Sequence, residues 1–164
     1  VVPSRQDVLQ KNQQSTCQLL FVGKDWNRKG GEIAYQTLVS LISLGLDARL
    51  TIVVSIPPEW YYDEILTVIP YLNKNKKSDR YKLEQLFLNS HFLLFPTRAD
   101  CSPISICEAN AFGLPVLSTD VGGIPSIIKN GENGYMFSLS TSGDDYAHLI
   151  NKIFSDQEDY FKLI

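Results

Sequence analysis

The chain has 164 residues, 44% apolar and 20% charged, with 15 Lys+Arg against 18 Asp+Glu. That is enough chain for one domain with a real hydrophobic core, and the composition excludes disordered and fibrous classes. The net charge of −3 argues against a nucleic-acid or anionic-membrane binder, whose footprint is a basic excess. No apolar run approaches the ~18 to 20 residues of a membrane span, and the start VVPSRQDVLQ lacks a charged-then-apolar secretory pattern.

Short apolar runs alternate with amphipathic stretches, the order expected of β/α alternation around a parallel sheet. The runs are residues 19–23, 50–54, 66–69, 91–95, 115–118 and 135–137. Their near-continuous hydrophobicity predicts strands covered on both faces. Helices are predicted over 31–44, with Ile33, Leu38, Leu41 and Ile42 at helical spacing and Gly45 as a stop, and over 78–89, with Leu83, Leu86 and Phe87 on one face. Two more are predicted over 103–112 and 144–154. Right-handed crossovers then give a doubly wound, Rossmann-like parallel sheet of about six strands with helices on both faces. The basic stretch 73–77 (NKNKK) reads as a solvated turn.

Cys17, Cys101 and Cys107 match neither a disulfide framework nor a zinc site, which predicts a reducing, cytoplasmic setting. The only methionine is Met136, so the chain is expected to be a piece of a longer polypeptide.

In a doubly wound sheet a ligand binds outside the carboxyl ends of the strands. There the loop 23–30 follows the first strand with Lys24, Arg28 and Lys29, and opens a helix near Lys29–Gly30. It fits neither GxGxxG nor GxxxxGK[ST], yet cations between a strand end and a helix start suit an anion. After the fourth strand comes PTRADCSPISICEANAFGLPV, residues 96–116. Ser102–Pro103 reads as N-cap and first helical position, which leaves the N–H groups of Ile104 and Ser105 free. Glu108 is the carboxylate of an otherwise small, apolar helix, so it needs a cation, a backbone donor or a ligand's hydroxyls as partner. Asp100 precedes it in the loop. Two carboxylates around a helix N-terminus suit a ligand with hydroxyls at both ends and negative charge in the middle, the distribution of a nucleoside diphosphate sugar. His91 reads as structural, His148 has no partner in view, and Trp26 and Trp60 either cover a ligand or pack on the domain. No His/Asp cluster suggests a metal site.

With these residues in place, the chain resembles the donor-binding half of the GT-B glycosyltransferases, in particular the retaining group 1 (family 4) set. That family spaces two acids by seven residues before E-A-x-A-x-G-x-P-V, matched by Asp100 and by Glu108 through Val116. Its G-R-x4-K-G is matched by Gly23-Lys24 and Lys29-Gly30, and its D-x-G-G-x-P and N-G-x-x-G elements by residues 120–125 and 130–134. The resemblance spans about residues 18–140. It departs from the pattern at Asp100, where Glu is usual, at Lys24, where Arg is usual, at Pro103, where Gly is frequent, and at Ser126, where Glu is common.

The resemblance implies a single donor-binding domain, core about 18–155, whose N-terminal acceptor domain is absent from this chain. It implies transfer of a sugar from a nucleotide diphosphate sugar to a hydroxyl acceptor with retention, as a hexosyltransferase-type enzyme of which this piece alone is inactive. Lys24 and Lys29 would hold and stabilise the diphosphate beside Gly23, Glu108 would take ribose hydroxyls, and Asp100 would face the donor sugar. The backbone of Ser102, Ile104 and Ser105 would serve phosphate and sugar, and Tyr71 and Leu72 would line the base. No cofactor or metal is implied. The implied acceptor is a sugar, glycan or lipid-linked molecule, and the implied place is the cytoplasm, peripheral to a membrane's inner face in the full-length protein. Two readings stay open beside it: a related GT-B enzyme such as an epimerase or phosphorylase, and a non-catalytic ligand- or partner-binding domain.

Overall fold

Every other side chain of a strand points to the same face, so an apolar run such as Leu19–Leu20–Phe21 must be covered twice. The computed structural model, which describes residues 3–10, 15–61 and 64–164, shows how. In chain order the elements are α1 (Arg5–Leu9), β1 (Cys17–Val22), α2 (Gly31–Ser43), β2 (Ala48–Val53), a 3-10 turn (Glu59–Tyr61), β3 (Leu66–Ile69) and α3 (Lys77–Asn89). There follow β4 (Phe92–Phe95), α4 (Ile104–Ala111), β5 (Val116–Thr119), a second 3-10 turn (Ile124–Ser126), β6 (Gly134–Phe137), α5 (Gly143–Ser155) and α6 (Gln157–Phe161).

The six strands form one sheet in the order β3-β2-β1-β4-β5-β6, and every pairing is parallel. This is the doubly wound α/β architecture expected from the sequence. Cys17, Leu19 and Phe21 of β1, with Phe92 and Leu94 of β4, face a core built with Leu38 and Leu41 of α2 and Tyr146 and Ile150 of α5. Leu20, Val22, Leu93 and Phe95 face the opposite core, with Leu83 and Phe87 of α3 and Ile106 and Ala109 of α4. Each such fully buried apolar side chain contributes roughly 1.5–3 kcal/mol. The chain winds outward from β1 in one direction and from β4 in the other, so a crevice opens between the carboxyl ends of these two central strands.

Helix ends follow local chemistry. Helix α2 stops where the sequence predicts: Gly45, at φ 85, lets Gly45 N–H reach the Ile42 carbonyl and Leu46 N–H the Leu41 carbonyl. Ile42, predicted inward, stands on the outer side of that helix and is exposed. The second strand ends one residue earlier than expected, at Val53, because Val54 turns left-handed at φ 62. Two short helices were not anticipated. Ser4 and Asp7 cap α1 reciprocally, and the Asp156 carboxylate accepts the Glu158 and Asp159 N–H groups at the start of α6.

His91 is structural, as the sequence suggested. It lies buried just before β4, its Nδ1 accepts the Gln18 N–H at 2.9 Å, and the Tyr160 hydroxyl donates to its carbonyl at 3.0 Å. Burial pushes the Tyr160 phenol and the Cys17 thiol well up from their ordinary values, and the Tyr146 phenol up to about 12.

Candidate functional site

The β1–α2 loop is a compact turn anchored from below. The Asp25 carboxylate accepts the Arg28 N–H at 3.0 Å, the Asp25 carbonyl the Lys29 N–H, and the Trp26 carbonyl the Gly31 N–H. Trp26 is buried against Phe21 and Tyr61, and Gly31 touches its ring so closely that a Cβ would lie 2.2 Å away. Trp26 therefore holds the loop rather than covering a ligand. The Trp60 side chain lies outside the described residues.

The loop sends its two lysines to different environments. Lys24 is exposed and engages no partner among the described residues. Lys29 runs past Gly23 and over the Phe95 ring, 4.5 Å from its centroid, to the Asp100 carboxylate. Both side chains of that pair are 12% exposed. Asp100 is held in turn by its own loop. Its carboxylate accepts the Ser102 N–H at 3.2 Å, and its carbonyl accepts the Gly123 N–H at 3.0 Å. Gly122 and Gly123 lie flush against this loop, where added Cβ atoms would stand 2.1 Å from the Asp100 carbonyl and 2.0 Å from the Cys101 carbonyl.

The turn at Asp100 also moves the start of α4. Ser102 spends its N–H on Asp100 and is exposed, Pro103 takes the N-cap position without a side-chain bond, and the helix begins at Ile104. The expected Ser102 cap is therefore not formed. The expected free donors are: among the described residues no backbone acceptor takes the Ile104 or Ser105 N–H. Ile104 is 68% exposed beside them.

Glu108, one turn further on, is half-buried and has a partner. Lys74 Nζ reaches its two carboxylate oxygens at 2.6 and 2.8 Å. Lys74 belongs to the basic stretch read as a solvated turn, which needs correction. The Asp79 carboxylate accepts the Asn73 N–H, Asn73 accepts the Asn75 N–H, and the fold so made delivers Lys74 to α4. The Asn73 N–H, with lesser help from the Ser78 hydroxyl, holds the Asp79 carboxyl below its ordinary value. Between α3 and α4 a recess of about 370 Å³ runs from this pair toward Phe87 and Phe112. Tyr71, after β3, is 70% exposed, while Leu72 packs against the core on the α3 and α4 side.

Lysine, carboxylate and helix-start donors thus gather at one edge of the sheet. Sequence reasoning missed Lys74, because nothing in NKNKK marks one lysine, and the supporting part of Gly122 and Gly123.

Residues 20–164 match the family "Glycosyl transferases group 1", and the chain belongs to that family. Over 153 residues it is 28% identical to the spore coat protein SA of Bacillus subtilis (strain 168); the match takes in 85% of this chain and 40% of that protein. The C-terminal domain of a group 1 glycosyl transferase (LpcC) from Francisella tularensis superposes with a TM-score of 0.73 at 16% identity, covering 98% of this chain and 87% of that one. Anabaena HepE, solved with UDP and glucose, superposes with a TM-score of 0.71 at 16% identity, over 98% of this chain and 46% of that one. The chain therefore spans less than half the length of the spore coat relative and of HepE.

Proposed function

We propose that this chain is the C-terminal, donor-binding domain of a retaining, family 4 GT-B glycosyltransferase of the hexosyltransferase type. The observation that carries the reading is the crevice edge, where two lysine–carboxylate pairs flank the free N–H groups of α4. Hydroxyls of a nucleotide diphosphate sugar would meet the carboxylates, and its diphosphate the cations and N–H donors between them. HepE was solved with UDP, which agrees with this donor class.

In this reading Lys24 and Lys29 hold the diphosphate beside Gly23 and stabilise it as leaving group, helped by the N–H groups of Ile104 and Ser105 rather than that of Ser102, which Asp100 occupies. An ammonium carries three donors, so Lys29 keeps Asp100 and still has N–H groups for phosphate oxygens. Glu108 accepts ribose hydroxyls on the lone pairs that Lys74 leaves free, and Asp100 faces the donor sugar. Tyr71 and Leu72 border the base. The departing phosphate oxygen takes the acceptor's proton, and charge neutralisation by lysine makes the reaction independent of added metal. An N-terminal domain supplies the acceptor, a sugar, glycan or lipid-linked molecule, and closes the crevice against water. Among the described residues no helix is long and apolar enough to cross a membrane. We place the full protein in the cytoplasm, at a membrane's inner face.

Calorimetric UDP binding and donor consumption, for this chain and for the protein with its N-terminal domain, each with and without chelator, test the reading. The expected result is UDP binding by both, transfer by the longer form alone, and indifference to chelator. Robust transfer by the 164-residue chain, or loss of UDP binding on chelation, would overturn it.

A further inference from the structure

The loops after β1 and β4 build a second recess that the donor reading does not use. It holds about 420 Å³ and is lined by Asn27, Arg28, Gly30, Glu32 and Arg98. Its frame is main chain. The Arg98 N–H donates to the Arg28 carbonyl at 2.8 Å, and the Thr97 hydroxyl donates to the same carbonyl at 3.2 Å. Gly30, at φ 75, backs onto the Pro96 carbonyl so closely that a Cβ would stand 1.9 Å from its oxygen. Two arginines far apart in sequence are thus fixed to one another at the junction of the central strands.

Their guanidinium groups are only partly used. Arg28 Nη1 donates to the Ala99 carbonyl at 3.0 Å, and Arg28 Nε lies 3.4 Å from the Asp25 carboxylate. Among the described residues the exposed Arg98 guanidinium meets neither carboxylate nor carbonyl, and the exposed Glu32 carboxylate, in the first turn of α2, meets no cation. Planar guanidinium forks recognise carboxylate and phosphate oxygens pairwise, with a geometry that lysine lacks. Glu32 and the Asn27 amide, in the same recess, suit hydroxyls instead. A bare anion would meet repulsion from Glu32, and a neutral sugar would leave the guanidinium charge unanswered. The ligand that fits both halves is a hydroxylated molecule bearing one acidic group.

We propose that this recess binds an acidic sugar, its carboxylate or phosphate on Arg98 and Arg28 and its hydroxyls on Glu32 and Asn27. Arg98 stands two residues before Asp100, at the carboxyl ends of β1 and β4. This binding does not depend on the glycosyl-transfer reading.

The test is nitrogen-edited NMR of the arginine Nε–H signals while the chain is titrated with glucuronate, glucose 6-phosphate, glucose and sulfate, each with and without saturating UDP. The two acidic sugars should shift the Arg98 signal saturably, equally in both UDP conditions, with glucose and sulfate at least tenfold weaker. Arg98→Gln should weaken the acidic sugars at least tenfold, leave UDP affinity unchanged, and be partly rescued by Arg98→Lys. Binding of only one of the two acids supports the proposal and names the acidic group. Equal binding of glucose or sulfate, displacement of the acids by UDP, or indifference to Arg98→Gln would overturn it. Failure of UDP to bind would strike the donor reading alone, since the titrations without UDP still decide this one.

Discussion

The two lysine–carboxylate pairs share a chemistry and little else. Lys29 and Asp100 are each 12% exposed, and they join the loops after the two central strands, with Phe95 beneath the ammonium. Lys74 and Glu108 are 53% and 30% exposed, and they join a surface turn to the middle of α4. Removing one member of a buried pair strands a charge in a poorly solvated place, whereas an exposed pair is near break-even against water. The inner pair therefore belongs to the fold as much as to the site. The outer pair is an adjustable contact, free to share Glu108 with a ligand.

The largest effect should follow from Lys29→Ala, which leaves Asp100 without its cation. We expect a loss of about 3 kcal/mol in chemical denaturation, and Lys29→Ala/Asp100→Ala should recover part of it. Equal stability of the single variant and wild type would remove the distinction between the pairs.

Gly123→Ala comes next. A Cβ 2.0 Å from the Cys101 carbonyl forces apart the loops that hold Asp100, at a cost of about 1–3 kcal/mol by analogy with overpacking. The Asp100 and Ser102 amide resonances should move, and those of Glu108 and Lys74 should not. Shifts confined to residues 120–125 would mean that the glycines do not position Asp100.

Lys74→Ala should change stability by less than about 1 kcal/mol, an effect visible at low salt and screened away at high salt. A larger loss would place the outer pair in the fold as well.

The smallest effect is one of pH. Hydrogen bonds from Asn73 and Ser78 hold the Asp79 carboxyl below its ordinary value, Asn73 being the stronger cause. Its contribution is present above the unfolded carboxylate value of about 3.9 and is lost as pH falls through the lowered folded value. Acidification below pH of about 4 should loosen the Lys74 turn, read as a lower protection factor of the Asn73 amide against hydrogen exchange, before the core unfolds.

Strand runs such as Leu93–Leu94 and the Gly45 stop were legible in the sequence because burial on both faces and a left-handed cap leave marks in neighbouring residues. Glu108 was legible as an acid in need of a partner, and Asp100 as a second acid in the loop before it. Which lysine each would meet was not, because the α3 crossover brings Lys74 to Glu108 from another segment, and no local pattern encodes that distance. The start of α4 was misplaced by one residue for a similar reason: the Asp100 carboxylate two residues upstream takes the Ser102 N–H and holds Ser102 in the preceding turn. Helices α1 and α6, five residues each, are too short for helical periodicity; only their Ser4 and Asp156 caps marked them.

The most direct test of the account is calorimetric titration of Lys24→Ala and Glu108→Ala with UDP and with uridine. Neither substitution removes an inner-pair residue, so both variants should stay folded by circular dichroism. The account predicts that Lys24→Ala weakens UDP while leaving uridine unchanged, and that Glu108→Ala weakens both by about 1.5–3 kcal/mol, the worth of hydrogen bonds to a charged group. Unchanged UDP affinity in Lys24→Ala, or unchanged uridine affinity in Glu108→Ala, would contradict it.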